Sequence, residues 1–378
     1  MERRFAVVAG GGTAGHVLPV LAVARALAAR GHDPREIEIV GSERGQEATV
    51  LQADEFPYTL LPGRGLVRRA TPADLLANGR TAVDLSRATA QAVSLMRTWR
   101  PSVVATVGGY ASFPAGVAAA VLRIPIVLVN TDAVPGLVHR VLDRVAVASA
   151  VAFPGTPLRN AVVTGSPIRE DMGRVERSLS TRRSARRELE IPEDRDLVVV
   201  FGGSLGARTL NRAVEGLLRR WRDRKDIALY HVVGRRNWDP ALAGTEGSAP
   251  SGERLWYRAV PFEDRMPLLY EAADLAVCRA GAMTVGELAI TGVPAVLVPL
   301  PGAPDDHQTA NAQVLVRAGA ARMLADARCD AERLSGIVEE LLEDPRGRAA
   351  MSGAARGLGS VDAARRVAEV VLAHARPG

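Results

Sequence analysis

The chain has 378 residues, 47% apolar and 24% charged, with a formal net charge of +6 and a pI near 9.9. That length exceeds one ordinary core and suits two domains. Two cysteines, Cys278 and Cys329, are too few for a disulfide framework or a zinc site, and 4% aromatic residues with no interleaved basic run argue against nucleic acid as a partner. Residues 1–165 hold 17 Arg against 12 Asp or Glu, an excess of five that suits an anionic lipid surface or a phosphorylated substrate.

The start, Met1 to Val8, meets a glycine-rich loop too early for a secretory signal, and the apolar stretch 111–122 is too short to span a bilayer. Residues 5–9 read as a strand. Gly10-Gly11-Gly12-Thr13-Ala14-Gly15-His16 follows as a loop, and Val17 to Leu27 repeats at helical spacing. Strand, glycine loop and helix open a doubly wound α/β domain. Gly10, Gly12 and Gly15 also satisfy the weak dinucleotide pattern, so an oxidoreductase is one reading, although strand 36–40 ends without a clear ribose-binding acid. His16 is more telling, since a titratable imidazole sits where the loop meets its helix.

A third strand is expected at 58–61, then the basic loop 63–69 and a long amphipathic helix over 72–100. On that helix Leu75, Leu76, Arg80, Arg87, Leu95 and Arg97 suit either an apolar patch rimmed for anionic lipid or, the favoured alternative, a core-facing stripe with a basic outer side. Strand 102–107 leads to a second glycine turn, Gly108-Gly109-Tyr110, and strand 124–129 leads to Asn130-Thr131-Asp132. Short strands at 145–148 and 162–164 complete a domain over 1–165.

The second domain, 166–360, enters through a charged helical segment up to Asp196. Asp194-Arg195-Asp196 imitates a metal-binding acid-x-acid motif but precedes its strand, so it reads as a solvated turn and no metal or other cofactor is expected. Strands at 197–201, 227–232, 255–260, 274–277 and 295–298 alternate with helices, and Gly202-Gly203-Ser204-Leu205-Gly206-Ala207 repeats the loop design. Residues 361–378 form a closing helix, for which a return to the first domain is one course. The expected whole is two doubly wound, Rossmann-like domains presenting glycine turns to a shared cleft.

The stretch 278–287 carries the sharpest chemistry. A strand ends at Cys278, the chain turns through Gly281, and a helix begins with Ala282, Met283 and Thr284. Their N–H groups have no intrahelical partner and lie at the positive end of the helix, which suits a diphosphate. Glu287 is one turn further in, placed for a ribose diol.

Five motifs then occur in order: Gly10–Pro19 (GGGTAGHVLP), Gly108–Pro114 (GGYASFP), Gly202–Ala207 (GGSLGA), Cys278–Glu287 (CRAGAMTVGE) and His307–Asn311 (HQTAN). Together they resemble the MurG family of peptidoglycan glycosyltransferases, which have the GT-B fold, over nearly the whole chain. The resemblance implies inverting transfer of N-acetylglucosamine from UDP-N-acetylglucosamine to the C4 hydroxyl of lipid I. It also implies a peripheral place on the cytoplasmic face of the bacterial membrane, with anionic lipid and other cell-wall enzymes as partners.

Carried over by position, the resemblance gives the donor diphosphate to Ser204, Ala282, Met283 and Thr284, and the ribose to Glu287. Arg169, Phe262 and Glu263 would frame the uracil, with Gln308 and Asn311 at the sugar. Thr13, Ala14, Gly15, His16, Gly108, Gly109, Tyr110 and Asn130 would face the acceptor. Where the family has His-Glu-x-Asn, this chain has Val129-Asn130-Thr131-Asp132, and Asn130 cannot act as a base. His16 is expected as the base or as part of the acceptor-diphosphate site, with Asp132 in reserve. A GT-B transferase with a soluble acceptor and a non-catalytic nucleotide-sugar sensor are the other readings compatible with the residues.

Overall fold

The structure is a computed structural model that describes residues 3–11, 14–43, 55–62, 72–203, 206–240 and 254–377, with backbone alone for 14–16, 72–80 and 82. Thr13, Ser204 and Leu205, the basic loop 63–69, and the side chains of Ala14, His16, Leu75, Leu76 and Arg80 therefore lie outside the described residues. Contacts divide the chain into two compact units, one of Met1–Arg169 with Val361–Gly378 and one of Glu170–Ser360.

The first unit is built on β1 (Ala6–Gly10), β2 (Ile37–Ser42), β3 (Tyr58–Leu61), β4 (Val103–Gly108), β5 (Ile126–Asn130), β6 (Ala148–Val151) and β7 (Ala161–Val163). Their spatial order is β3-β2-β1-β4-β5-β6-β7, and the pairings are parallel. The central strands read as unbroken apolar runs because helices cover both faces of such a sheet. On one face lie α1 (Ala14–Ala28) and α12 (Ala363–Ala373), whose Val367, Ala368 and Val371 share a core with Val17, Val20 and Leu27. On the other lie α2 (Pro72–Trp99) and α3 (Phe113–Val121). Ala88, Ala92, Met96 and Trp99, spaced at four, four and three residues, are the buried stripe of α2, while Arg87 and Arg97 are exposed.

Two details of the first sheet differ from expectation. The strand expected at 145–148 lies at Ala148–Val151, because Val145 and Val147 are exposed in the connection after α4 (Leu137–Leu142). β5 extends to Asn130, so that side chain is held by the sheet.

The second unit carries β8 (Asp196–Phe201), β9 (Ile227–Val232), β10 (Trp256–Val260), β11 (Leu275–Cys278), β12 (Ala295–Leu297) and β13 (Ala321–Met323). They are again parallel, in the order β10-β9-β8-β11-β12-β13. Its helices are α5 (Leu179–Glu188), α6 (Arg208–Arg220), α7 (Met266–Ala272), α8 (Ala282–Thr291), α9 (His307–Arg317), α10 (Ala331–Glu343) and α11 (Pro345–Leu358). Asp196, expected in a solvated turn, is the first residue of β8, pairs with Arg348 at 3.4 Å and has its carboxyl pushed up by partial burial. Asp274 receives Arg182, Arg186 and the Leu197 amide at the start of β11, fixing the amino ends of the central strands β8 and β11 away from the glycine turns.

In each sheet the strand order reverses once, between β1 and β4 and between β8 and β11. Open α/β sheets bind ligands beyond the carboxyl ends of the strands at such a switch point. Gly10 lies beside Gly108, and Phe201 beside Cys278, so each switch point brings together two of the glycine-containing turns singled out in the sequence.

Candidate active site

In the second unit the turn after β11 is held from several sides. Arg279, almost fully buried, donates to the Val298 and Pro299 carbonyls and pairs with Asp326 at 2.6 Å, which ties this turn to the end of β12. Gln308 Oε1 accepts from the Ala280 amide (3.3 Å) and the Leu300 amide (3.0 Å). Asn311, one helical turn along α9, donates to the Ala280 carbonyl at 3.2 Å. Gln308 and Asn311 therefore grip Ala280 by both its polar groups. The chain then enters α8 at Ala282, whose N-cap Gly281 has no side chain to cap the first turn.

Among the described residues outside its chain neighbours, a β-carbon built on Gly281 would meet no atom within 4 Å, and its φ of −64° suits any residue. Neither packing nor backbone strain accounts for glycine there; what it preserves is space above the unpaired amides. Met283 is buried and can offer only its backbone, whereas Ala282 and Thr284 are half-buried. Glu287 faces the same corner, and one of its oxygens accepts from the Tyr270 hydroxyl at 2.9 Å. Complete burial pushes that phenol well above its ordinary pKa, with the Glu287 charge adding to the shift. Phe201 meets the Tyr270 ring edge-on at 5.9 Å, so the carboxylate rests on a rigid aromatic support.

The neighbouring turn after β8 is anchored from below. Gly206, at φ +77°, lies against the Val233 carbonyl, where a side chain would collide with backbone. That carbonyl accepts from Asn211 Nδ2 at 3.1 Å. Asn211 Oδ1 contacts His231 Nε2 at 3.0 Å, and His231 Nδ1 meets the Tyr257 hydroxyl at 3.1 Å. Burial pushes the His231 pKa down to about 4. The neutral ring satisfies this arrangement, with Nε2–H donating to Asn211 and Nδ1 accepting from Tyr257.

At the end of β10 a cavity of about 500 Å³ is lined by Tyr230, Arg258, Phe262, Glu263 and Arg265, among others. The Arg235 guanidinium stacks on Phe262, 4.3 Å from the ring centre. Glu263 is buried, and its carboxylate accepts from the Tyr230 hydroxyl (2.5 Å), the Arg265 amide (2.8 Å) and Arg265 Nε (3.2 Å). Burial alone would raise its pKa, but these hydrogen bonds outweigh it and hold the group ionised. Glu263 thus pins its loop at the wall of the cavity. Arg169 is half-buried and ends the first segment of the first unit.

In the first unit His16 falls in the opening turn of α1, three residues before Pro19, which lacks the N–H that would reach the Gly15 carbonyl. Tyr110, just past Gly109, places its hydroxyl 3.2 Å from Ser42 Oγ at the end of β2. Asn130 is 4% exposed; its Nδ2 donates to the Asp132 carbonyl at 2.5 Å and its Oδ1 lies 3.0 Å from His139 Nδ1. The other nitrogen of His139, Nε2, lies 3.1 Å from the Thr106 carbonyl. Asp132 is half-buried on the loop that follows. Among the described residues no group of three His, Cys, Asp or Glu converges as metal ligands would.

Sequence reasoning did not single out His139, Tyr270, Asn211 or Ser42 as parts of these turns. Ser42 and Tyr270 come from other elements, whereas Asn211 and His139 lie on the helices that follow their own turns. The one signal open to inspection was His139 on a short apolar helix with no other reason for an imidazole.

Residues 6–151 match the glycosyltransferase family 28 N-terminal domain, and residues 197–367 match the family 28 C-terminal domain. A protein of Desulforudis audaxviator is 36% identical over 374 residues, 97% of each chain, and one of Methylococcus capsulatus is 38% identical over 377 residues, 99% of each. Both are named UDP-N-acetylglucosamine–N-acetylmuramyl-(pentapeptide) pyrophosphoryl-undecaprenol N-acetylglucosamine transferase. The crystal structure of Acinetobacter baumannii MurG matches with a TM-score of 0.76 and 29% identity, covering 99% of this chain and 100% of that one. A kitacinnamycin glycosyltransferase, 19% identical with a TM-score of 0.70, shares the fold.

Proposed function

From the premise that the chain belongs to glycosyltransferase family 28, within its MurG branch, we infer how its residues divide the work of one transfer reaction. The protein is an N-acetylglucosaminyltransferase that moves N-acetylglucosamine from UDP-N-acetylglucosamine to lipid I in peptidoglycan synthesis. Relatives of nearly full length carry the lipid-linked acceptor in their names, which favours it over a soluble one. The same kinship removes the oxidoreductase reading.

Transfer with inversion is one displacement. The acceptor's C4 hydroxyl attacks the anomeric carbon while the bond to the β-phosphate oxygen breaks, so negative charge grows on the departing diphosphate and the hydroxyl proton must be taken up. The observation that carries our assignment is the uncapped start of α8 beneath the open space at Gly281. Amides of Ala282, Met283 and Thr284, at the positive end of the helix, stabilise the charge growing on UDP. Glu287, braced by Tyr270, takes the ribose hydroxyls. The cavity at Phe262 admits the uracil, with Phe262 and Glu263 on its wall, and Arg169 keeps the uracil role that the resemblance gives it. Gln308 presents its amide to the sugar from a position fixed by two backbone bonds, with Asn311 holding the turn behind it. Ser204 completes the diphosphate site.

In the first unit the turns at Gly10–His16 and Gly108–Tyr110, with Asn130, receive the acceptor, and His16 is the general base with Asp132 in reserve. A membrane-anchored acceptor and a soluble nucleotide sugar meet at a membrane surface, so the enzyme acts peripherally at the cytoplasmic face, drawn by its basic first unit and within reach of other cell-wall enzymes. No helix among the described residues is long and apolar enough to cross a membrane. Transfer assays with UDP-N-acetylglucosamine and a short-chain lipid I analogue test this. Loss of the positioned base should cost about 10²–10⁴-fold in kcat, so His16→Ala falls in that range with the donor KM little changed. Unaltered kcat would move the role to Asp132, and no transfer by the unaltered protein would refute the reading as a whole.

A further inference from the structure

We propose that His139 is a doubly protonated positioning residue of the acceptor site. It holds Asn130 and the turn to Asp132, and it sets a fixed positive charge behind the glycine turn where the acceptor's diphosphate binds. The inference rests on the functional reading above for what that charge serves, but on hydrogen-bond geometry for its existence.

The geometry starts at two backbone carbonyls, which can only accept. The Asp132 carbonyl lies 2.5 Å from the Asn130 side-chain amide, so the NH2 group must face it; a flipped amide would set two oxygens against each other. Oδ1 of Asn130 is thereby turned to His139 Nδ1 at 3.0 Å, and an amide oxygen needs a donor there. On the other side of the ring the Thr106 carbonyl sits 3.1 Å from Nε2 and needs a donor as well. A neutral imidazole has one N–H and one lone pair, so it leaves one of these contacts oxygen against lone pair, in a residue only 3% exposed. The imidazolium satisfies both.

The same rule applied to His231 gives the opposite result. There Asn211 accepts on one side and a phenol can donate on the other, so one ring proton suffices, in keeping with its burial. The two histidines differ in the chemistry of their partners and not in their depth.

Burial opposes a cation, so the charged groups among the described residues around it matter. β4, β5 and α3, which frame α4, contain no titratable side chain. On its own helix His139 has Arg140, and beyond the helix Asp143, which takes the Arg159 amide at 2.7 Å. Asp132 stands on the adjoining loop, and His16 opens α1. Thr106 is two residues before Gly108 on the same strand, so the charge sits about 7 Å back along the strand from the Gly108–Gly109 turn. A diphosphate bound at that turn supplies the anion that a buried imidazolium calls for.

Long-range 1H–15N NMR of the full-length protein reads the ring directly, the His139 signals being assigned by their loss in His139→Gln. We expect both nitrogens protonated at neutral pH, and a ring with one bare nitrogen overturns the proposal. In kinetics, His139→Gln should raise the lipid I analogue KM about tenfold, the scale of one hydrogen bond to a charged group, and leave the donor KM unchanged. The unaltered enzyme's acceptor KM should climb as pH rises through the point where His139 loses its proton, and that limb should vanish in His139→Gln. An unchanged acceptor KM in a folded His139→Gln also overturns the proposal. The NMR readout needs no turnover, so failure of the functional reading and failure of this one are separate results.

Discussion

The bond between Tyr270 and Glu287 allows a sharp test of the donor corner. Replacing Glu287 by Ala should remove the ribose contacts and also leave the Tyr270 hydroxyl fully buried without its carboxylate partner. Stranding a buried hydroxyl costs about 1–3 kcal/mol, and in a unit of this size each kcal/mol lowers Tm by about 2–4 °C. Tyr270→Phe removes the same bond from the other side, where the half-buried carboxylate can rehydrate, so its stability cost should be below about 1 kcal/mol. Its effect should appear in the donor KM, raised about tenfold, because Glu287 loses the group that orients it. The two changes share one partner and should not add. Glu287→Ala with Tyr270→Phe should be more stable than Glu287→Ala alone, since the stranded hydroxyl is gone. Urea unfolding of the four proteins, with donor kinetics on each, completes the cycle. A double variant no more stable than Glu287→Ala, together with an unchanged donor KM in Tyr270→Phe, would refute the account of this corner.

Three further outcomes follow from the same geometry. Gly281→Val adds a side chain where no atom of the described residues beyond its chain neighbours stands within 4 Å, so stability should change by less than about 0.5 kcal/mol while UDP binding falls sharply; equal UDP affinity would show that the space is not the diphosphate's. Asn311→Ala removes a buried partner of the Ala280 carbonyl and should cost about 1–3 kcal/mol together with a higher donor KM, whereas a purely structural Asn311 would leave KM alone. His231 has its folded pKa depressed to about 4, so it contributes stability that is complete above its unfolded pKa near 6.5 and lost as pH falls toward 4. The loss is about 3 kcal/mol by linkage, and urea midpoints measured between pH 7 and 4.5 should fall less steeply in His231→Gln; parallel slopes would refute it.

The strand-to-helix turn at 278–287 was legible in the sequence because its determinants are local. An apolar run, a glycine and helical spacing follow one another within ten residues. The same holds for the glycine turns at Gly10 and Gly108, whose adjacency follows from strand order. What could not be read was contact between distant segments. The Glu263 carboxylate looks available in sequence, and only the packing of β9 beside β10 reveals Tyr230 waiting for it. Val145 and Val147 suggested a strand by composition, yet the sheet takes the smaller residues of Ala148–Val151 because the connection from α4 leaves those valines outside. Asn130 was noticed as a departure from the family pattern, but the histidine that fixes its orientation comes from nine residues later, across a turn no local rule specifies.

The closing helix α12 sets the order in which this polypeptide can mature. Val367 and Val371 are sealed into the core beside Val17 and Val20, and Arg366 reaches the Val163 carbonyl at 2.7 Å. A chain leaving the ribosome amino end first holds every strand of the first sheet long before it holds those valines. The middle segment, Glu170–Ser360, has its whole core available while the flanking unit still waits for its last turns. A stop codon a few turns early would therefore injure the part of the protein that was synthesised first.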